Sequence, residues 1–315
     1  MNTTENREVK KGLILAGGLG TRFLPATLYL AKELFPIGNQ PIMLYHLQDL
    51  LKAGVTDVLI VGNKLKEESF KQFLCPSEAY IAQVESDGKL GLLEDYYNTM
   101  KQMKITYVNQ DDPTFTFDGV TYENEYLGNR GSAIAIGAAK HWANGEPFIC
   151  LNGDDLCFYE DGRSMSSEVI DVYKKTGDIV VYGKELPRDV MWKYSSMVLG
   201  ESGQIGDKKY SKMLDIIEKP APGTEPSTTM GFCRYVLTSD FFDRIFKIKT
   251  RQNGEYNMTD VLQSLARDGK ASTITFTGRY FDCGSEEQYG EANVYAIQAK
   301  KKAKEAQKTS ATAGK

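Results

Sequence analysis

Histidine is scarce in this 315-residue chain, which has only His46 and His141. Both fall in segments of helical spacing, and neither stands beside a serine or cysteine motif. Both are read as structural, and catalysis through a nucleophile with an imidazole base has no support, because it needs a positioned pair. The cysteines are five, Cys75, Cys150, Cys157, Cys233 and Cys283, widely spaced and without a CxxC pair. That spacing indicates neither a disulfide framework nor a zinc site and points to reduced thiols in a cytoplasmic protein. Long apolar runs are missing too. The polar opening 1–11 precedes an apolar run too short for the core of a secretion signal, and no stretch reaches membrane-spanning length. Lysine and arginine form no dense block before the C-terminal end. With a net charge of −4, neither a nucleic-acid nor a membrane partner is expected.

What is present is 41% hydrophobic and 25% charged residues, ordinary for a globular enzyme. GLILAG (12–17) and VTDVLIVGN (55–63) read as short buried strands. Between them 41–54 has helical spacing, with Pro41 at its start and Gly54 at its stop. KEESFKQFL is a short helix. ITYVN, SAIAIGAAKHWA, PFICLNGDD, SSEVIDVYKKTG and DIVVYGK then alternate strand and helix. This pattern predicts an α/β fold, a doubly wound, mostly parallel (mixed) sheet flanked by helices. From about 195 to 240, three strand-like segments separated by turns predict a smaller β-rich subregion. TDVLQSLARDG (helix), ASTITFTG (strand) and a long helix from Ser285, a possible cap, complete the chain. A single domain is expected over 1–305, with a disordered polar tail over 306–315. TFTFDGVTYENE (114–125) alternates about Asp118-Gly119, a strong hairpin signal. A lid and an ordinary surface excursion are equally open for it.

The first strand runs into AGGLGTRFLP. Glycines there let a backbone approach phosphates closely. The loop is not a Walker A motif, and Phe23 stands where a dinucleotide fingerprint needs glycine or alanine. Arg22 and Lys32 supply two cations close behind, a composition that suits a polyphosphate; a structural turn remains the other reading. Asp154 and Asp155 follow the strand PFICLNG, at the edge where open α/β sheets bind ligands. Carboxylates there suit Mg²⁺, a hard cation that shares its shell with substrate phosphates, or simply a turn. Asp282 in RYFDCGS lies similarly, with helix capping as the alternative. Glu218 and Lys219 end a strand, where a lysine can pair with a monophosphate and a glutamate can accept hydroxyls; turn chemistry explains them nearly as well.

Together these segments resemble the bacterial UTP–glucose-1-phosphate uridylyltransferases, within the sugar nucleotidyltransferases, from about residue 10 to 297. GLGTRFLPAT (18–27) and AKELFPIGNQPIMLYHL (31–47) carry the resemblance furthest. YVNQ (107–110), GSAIA (131–135), LNGDDL (151–156), IIEKP (216–220), CRYVL (233–237) and YFDCGS (280–285) follow in the family's order. The resemblance implies a nucleotide-binding part over about 10–185, a sugar-side part over about 186–282 and a C-terminal helix over 285–306. It implies that Gly17, Gly18 and Gly20 contact the nucleotide, and that Gln110 and Gly131 read the uracil edge. Arg22 and Lys32 would hold the phosphates that leave, and Asp154 and Asp282 would hold Mg²⁺. Glu218 would contact the sugar, Lys219 its phosphate, and Asp155 a sugar hydroxyl. The partners implied are a nucleoside triphosphate, a sugar 1-phosphate and further copies of the chain, in a dimer or tetramer.

Three positions depart from the family's pattern. Ser195 stands where a glycine usually meets the sugar, Ala31 replaces a proline before Lys32, and Cys233 replaces a glycine. The first leaves the sugar open, and the insertion at 114–125 leaves the base open. A related transferase using dTTP or another sugar phosphate, or a regulatory paralogue that only binds sugar nucleotides, are the alternatives. The latter has no need of Arg22 and Lys32. The basic run 300–308 is read as a solvated helix face.

Overall fold

The computed structural model describes residues 7–206 and 208–313, with side chains up to 302 and at Glu305. One nine-stranded sheet organises them. Its strands in chain order are β1 (Lys11–Leu15), β2 (Asp57–Gly62), β3 (Lys104–Asn109), β4 (Phe148–Asn152), β5 (Ile179–Glu185), β6 (Ser195–Ile205), β7 (Lys208–Glu218), β8 (Thr229–Leu237) and β9 (Ala271–Phe276). Their order across the sheet is β6-β7-β9-β5-β8-β4-β1-β2-β3. Strands β4, β1, β2 and β3 are mutually parallel. The antiparallel strand β8 joins them to the other half, in which β6, β7 and β9 also pair antiparallel. This is the mixed, doubly wound arrangement expected; of the three strands expected over 195–240, β6 and β7 pair at one edge of the sheet, while β8 lies in its middle between β5 and β4.

The parallel strands are apolar throughout because both of their faces are covered. Along β1, Leu13 faces one core and Ile14 the other. On the first face lie helices Ser132–Gly137, Lys140–Ala143 and Met258–Arg267; on the second lie Ile42–Lys52 and Met165–Thr176. The helix expected over SAIAIGAAKHWA is thus two short ones. Helices Glu78–Ser86 and Glu94–Met100 were not anticipated. The first buries no residue and the second only Thr99, so neither carries the apolar stripe by which a helix announces itself.

The hairpin is Thr114–Phe117 and Val120–Glu123, and its turn residues Asp118 (φ 50°) and Gly119 (φ 81°) are both left-handed, as a two-residue type I′ turn requires. It is not a lid. Phe115 and Phe117 are 4% and 7% exposed within the first core, and Tyr122 stacks on His141 at 4.2 Å between centroids. Truncating either phenylalanine to alanine would cost about 3–5 kcal/mol, so its packing makes it scaffold. The terminal helix runs Glu286–Ala313, past 306 where a disordered tail was expected. Alanine recurs through 306–313, and it has the lowest helix cost of any residue. Residues 314 and 315 lie outside the described part. Cys233 has a φ of 43°, the left-handed region that a glycine there would enter without strain.

Candidate active site

Because β1, β2, β3 and β4 run in one direction, the loops at their carboxyl ends meet. They carry Gly17, Asn63, Gln110 and Asp154. Gly17 is where its backbone must pass a side chain: a Cβ there would lie 2.9 Å from Gln110 Oε1. Its carbonyl accepts from Asn63 Nδ2 at 2.7 Å. Gly20 has φ 68°, and its carbonyl accepts from Thr27 Oγ1 at 2.9 Å. Gly18 passes over Lys32, whose Nζ would be 3.5 Å from a Cβ on it. Gly17, Gln110 and Gly131 line one cavity of about 600 Å³, with Leu19 and Leu65 among its other walls. Gly131 (φ 115°) precedes the helix Ser132–Gly137, and a Cβ on it would meet the Tyr256 carbonyl at 2.2 Å. No other residue fits there.

Beside this cavity the charged residues converge. Lys32 is an ion-pair partner of Asp154 and lies 3.9 Å from Glu33. Burial alone would pull its ammonium down, but the Asp154, Glu33 and Asp155 carboxylates more than offset this and hold it above its ordinary value. Arg22 Nη1 is 3.8 Å from Asp282 Oδ2. Gly284 is the focus: a Cβ on it would lie 2.7 Å from Asp154 Oδ2, 2.8 Å from Asp282 Oδ1 and 3.2 Å from Arg22 Nη2. The two carboxylates are therefore brought together across 128 residues of sequence, with both cations. No group of three or more histidine, cysteine, aspartate or glutamate side chains able to hold a metal occurs among the described residues. Two carboxylates are what Mg²⁺ takes when phosphates fill the rest of its shell, so the residues fit that ion.

Asp155 departs from its expected place. It is 7% exposed, and its oxygens accept from Asn152 Nδ2 (2.8 Å) and Tyr280 Oη (2.7 Å). Burial and the neighbouring Asp154 charge push its carboxyl up to about 7. Asp154 lies in the turn that precedes the strand 155–158, whereas Asp155 opens that strand, so its place is in the seam between 155–158 and Arg279–Asp282. His46 is fully buried behind the same turn, its Nε2 3.1 Å from the Gly153 carbonyl. A carbonyl only accepts, so Nε2 carries the proton. Burial and the nearby Arg234 push the ring down to about 3, and it stays neutral. Both histidines are thus structural, as expected.

Glu218 and Lys219 lie elsewhere, in a cleft of about 1070 Å³ whose walls include Arg251 and Arg267. Glu218 accepts from Thr259 Oγ1 at 3.1 Å. Lys219 is left-handed (φ 49°) and its N–H donates to the Tyr194 carbonyl at 2.9 Å, which turns the chain at the cleft wall. Ser195 is 8% exposed, and its Oγ accepts from the Gly231 N–H at 3.1 Å. The hydroxyl that replaces the family's glycine is therefore spent on joining β6 to β8.

Sequence reasoning missed four residues. Asn63, 6% exposed, fixes Gly17 and caps Leu65 (3.0 Å), so it spans two cavity walls. Lys66, 5% exposed, donates to the Thr27 carbonyl beneath the glycine loop. Glu33 is 1% exposed with Oε2 unpartnered, and burial pushes it up to about 8. Asn124 holds the loop of Gln110. For Asn63 a polar residue directly after a buried strand was a usable signal; the others had none.

The nucleotidyl transferase family profile matches residues 11–299. A UTP–glucose-1-phosphate uridylyltransferase of Pseudomonas aeruginosa is 32% identical over 92% of this chain and 96% of its own length. One of Staphylococcus epidermidis is 31% identical over 89% of each. Among solved structures, an apo UDP-glucose pyrophosphorylase superposes with a TM-score of 0.81 at 27% identity, covering 93% of this chain and all of that one. One complexed with UDP-glucose gives 0.76 at 26%, over 92% and 99%. With a glycine loop, paired carboxylates and two cations at the carboxyl edge of the sheet, and with this likeness along its whole core, the chain is an enzyme of the nucleotidyl transferase family.

Proposed function

We propose that the chain transfers the uridylyl group of UTP to glucose 1-phosphate, releasing pyrophosphate and forming UDP-glucose. The observation that carries this is the convergence of Asp154, Asp282 and Arg22 on Gly284, with Lys32 paired to Asp154, directly beside the cavity lined by Gly17, Gln110 and Gly131. The choice of uridine and glucose is supported by what the relatives are named for.

In this reading Gln110 and Gly131 face the base, and Gly17, Gly18 and Gly20 offer backbone to the nucleotide. A sugar phosphate is already a nucleophile at neutral pH, so no general base is required. The barrier is repulsion between two anions meeting at the α-phosphorus. Asp154 and Asp282 would hold the Mg²⁺ ion, which when bound neutralises charge on the phosphates it touches. Lys219 pairs with the sugar phosphate, and Glu218 accepts from sugar hydroxyls. Arg22 and Lys32 stabilise the charge that collects on the departing pyrophosphate; such placed cations act most strongly where charge develops. Asp155 serves from inside the seam rather than on the sugar. The reading extends to a cytoplasmic homo-oligomer, a dimer or tetramer, on the strength of the family resemblance; light scattering on the purified chain checks it.

The test is a matrix of UTP, dTTP, CTP and ATP against several hexose 1-phosphates, with and without Mg²⁺, following pyrophosphate. UTP with glucose 1-phosphate and Mg²⁺ is expected to exceed every other pair. Preference for another pair, or turnover undiminished in a chelator, would overturn the assignment.

A further inference from the structure

We propose that Asn124, where the inserted hairpin rejoins the chain, is a positioning residue for recognition of the base, and that this is the hairpin's contribution to the reaction. The inference rests on Gln110 as a base contact. Gln110 follows β3 in a tight loop. Asn109 Oδ1 accepts from the Asp111 N–H at 3.2 Å, and Asn109 Nδ2 donates to Asp112 Oδ1 at 3.0 Å. From the other side Asn124, 8% exposed, donates Nδ2–H to the carbonyls of Gln110 (3.0 Å) and Asp112 (2.8 Å). Its Oδ1 accepts from the Tyr126 N–H at 3.1 Å, and its own N–H donates to the Pro113 carbonyl at 2.9 Å.

Both donor hydrogens of this amide are used, and one side chain ties together the segments that carry Gln110 and Tyr126. Gln110 and Tyr126 both line the base-side cavity, and Asn124 does not. Asn124 therefore acts through them. Phe115 and Phe117 root the hairpin in the core, so the junction is held by packing rather than by a solvated loop. Direction matters here, because a primary amide presents donors at one end and an acceptor at the other. A Gln110 loop free to shift would blur the uracil edge and make room for the thymine methyl group.

The experiment measures kcat and KM for UTP and dTTP in Asn124→Ala, Asn124→Asp and, as a packing control, Phe117→Leu. Asn124→Asp keeps the acceptor for Tyr126 and removes both donated bonds. Both Asn124 variants are expected to raise the KM for UTP about tenfold, with a smaller change in kcat, and to narrow the preference for UTP over dTTP. Phe117→Leu is expected to lower Tm and leave the preference intact. Asn124 variants that lose Tm but keep the wild-type preference would overturn the proposal. If neither variant folds, amide exchange in the unmodified protein decides: UTP should protect 109–113 and 124–126 together, and protection of the first segment without the second would overturn it. A wild-type enzyme that does not prefer UTP to dTTP would sink the reading of Gln110, and this inference with it.

Discussion

Around the base-side cavity, position is set by backbone: Gly17, Gly20 and Gly131 stand where a Cβ would collide, and the amides of Asn63 and Asn124 bind main-chain carbonyls. The cleft of Glu218 and Lys219, assigned to the sugar in the proposed reading, is built instead from long charged side chains. Arg251 grips Asp260 through two bonds of 3.0 Å, and Arg267 reaches Asp215 at 2.9 Å. In the proposed reading the difference suits the ligands: a flat base would be read by groups that cannot move, and a charged sugar phosphate would be met by long polar side chains. The carboxylate pair of Asp154 and Asp282 is the place to which the proposed reading assigns the chemistry itself.

The largest effect should therefore fall on this pair. Asp154→Asn and Asp282→Asn are each expected to lower kcat/KM on the order of 1000-fold, with Tm changed by less than about 4 °C. Pyrophosphate release and calorimetry on the same samples check this, and near-normal turnover in either variant would remove the metal assignment. Lys32→Ala should lower kcat on the order of 100-fold; a pure KM effect in steady-state kinetics would place Lys32 on the bound substrate rather than on the leaving group.

The contrast itself is sharpened by crossing the two sides. Lys219→Ala should raise the KM for the sugar phosphate about tenfold and leave that for UTP nearly unchanged, and Gln110→Ala should do the reverse. Variants that raise both constants equally would show one continuous site.

How far these regions could be read beforehand also differs. The glycine loop and the aspartates were legible, because backbone approach and paired charge restrict residue type to glycine and carboxylate at fixed places in the chain. The hairpin was legible from alternation about Asp118-Gly119, but its role was not, since burial of Phe115 and Phe117 depends on what the fold brings against them. Asp155 looked equivalent to Asp154, and only the pairing of 155–158 with Arg279–Asp282 turns it inward. The buried pair of Asp49 and Arg234, 3.1 Å apart and 185 residues distant in sequence, had no local signature at all.

The remaining effect concerns Glu33, beneath the carboxylate pair, and falls on stability rather than on turnover. Burial pushes its carboxyl from an ordinary 4.5 up to about 8. Through that window the folded chain keeps a proton that the unfolded chain has released. The group's contribution therefore weakens the fold as pH rises from about 4.5 to about 8, and levels off above. Glu33→Gln, a permanent neutral mimic, should gain Tm relative to the wild type by an increasing margin as pH is raised across that range. A constant margin in thermal melts would mean that Glu33 is ionised in the folded protein at neutral pH.

Whether Asp154 and Asp282 share one divalent cation with the substrate phosphates is decided by anomalous diffraction from crystals grown with Mn²⁺ and UDP-glucose. A single anomalous peak is expected within about 2.2 Å of an oxygen from each carboxylate and of a phosphate oxygen. UDP-glucose bound with no peak between those carboxylates, and Asp154 still held by Lys32, would contradict the metal assignment.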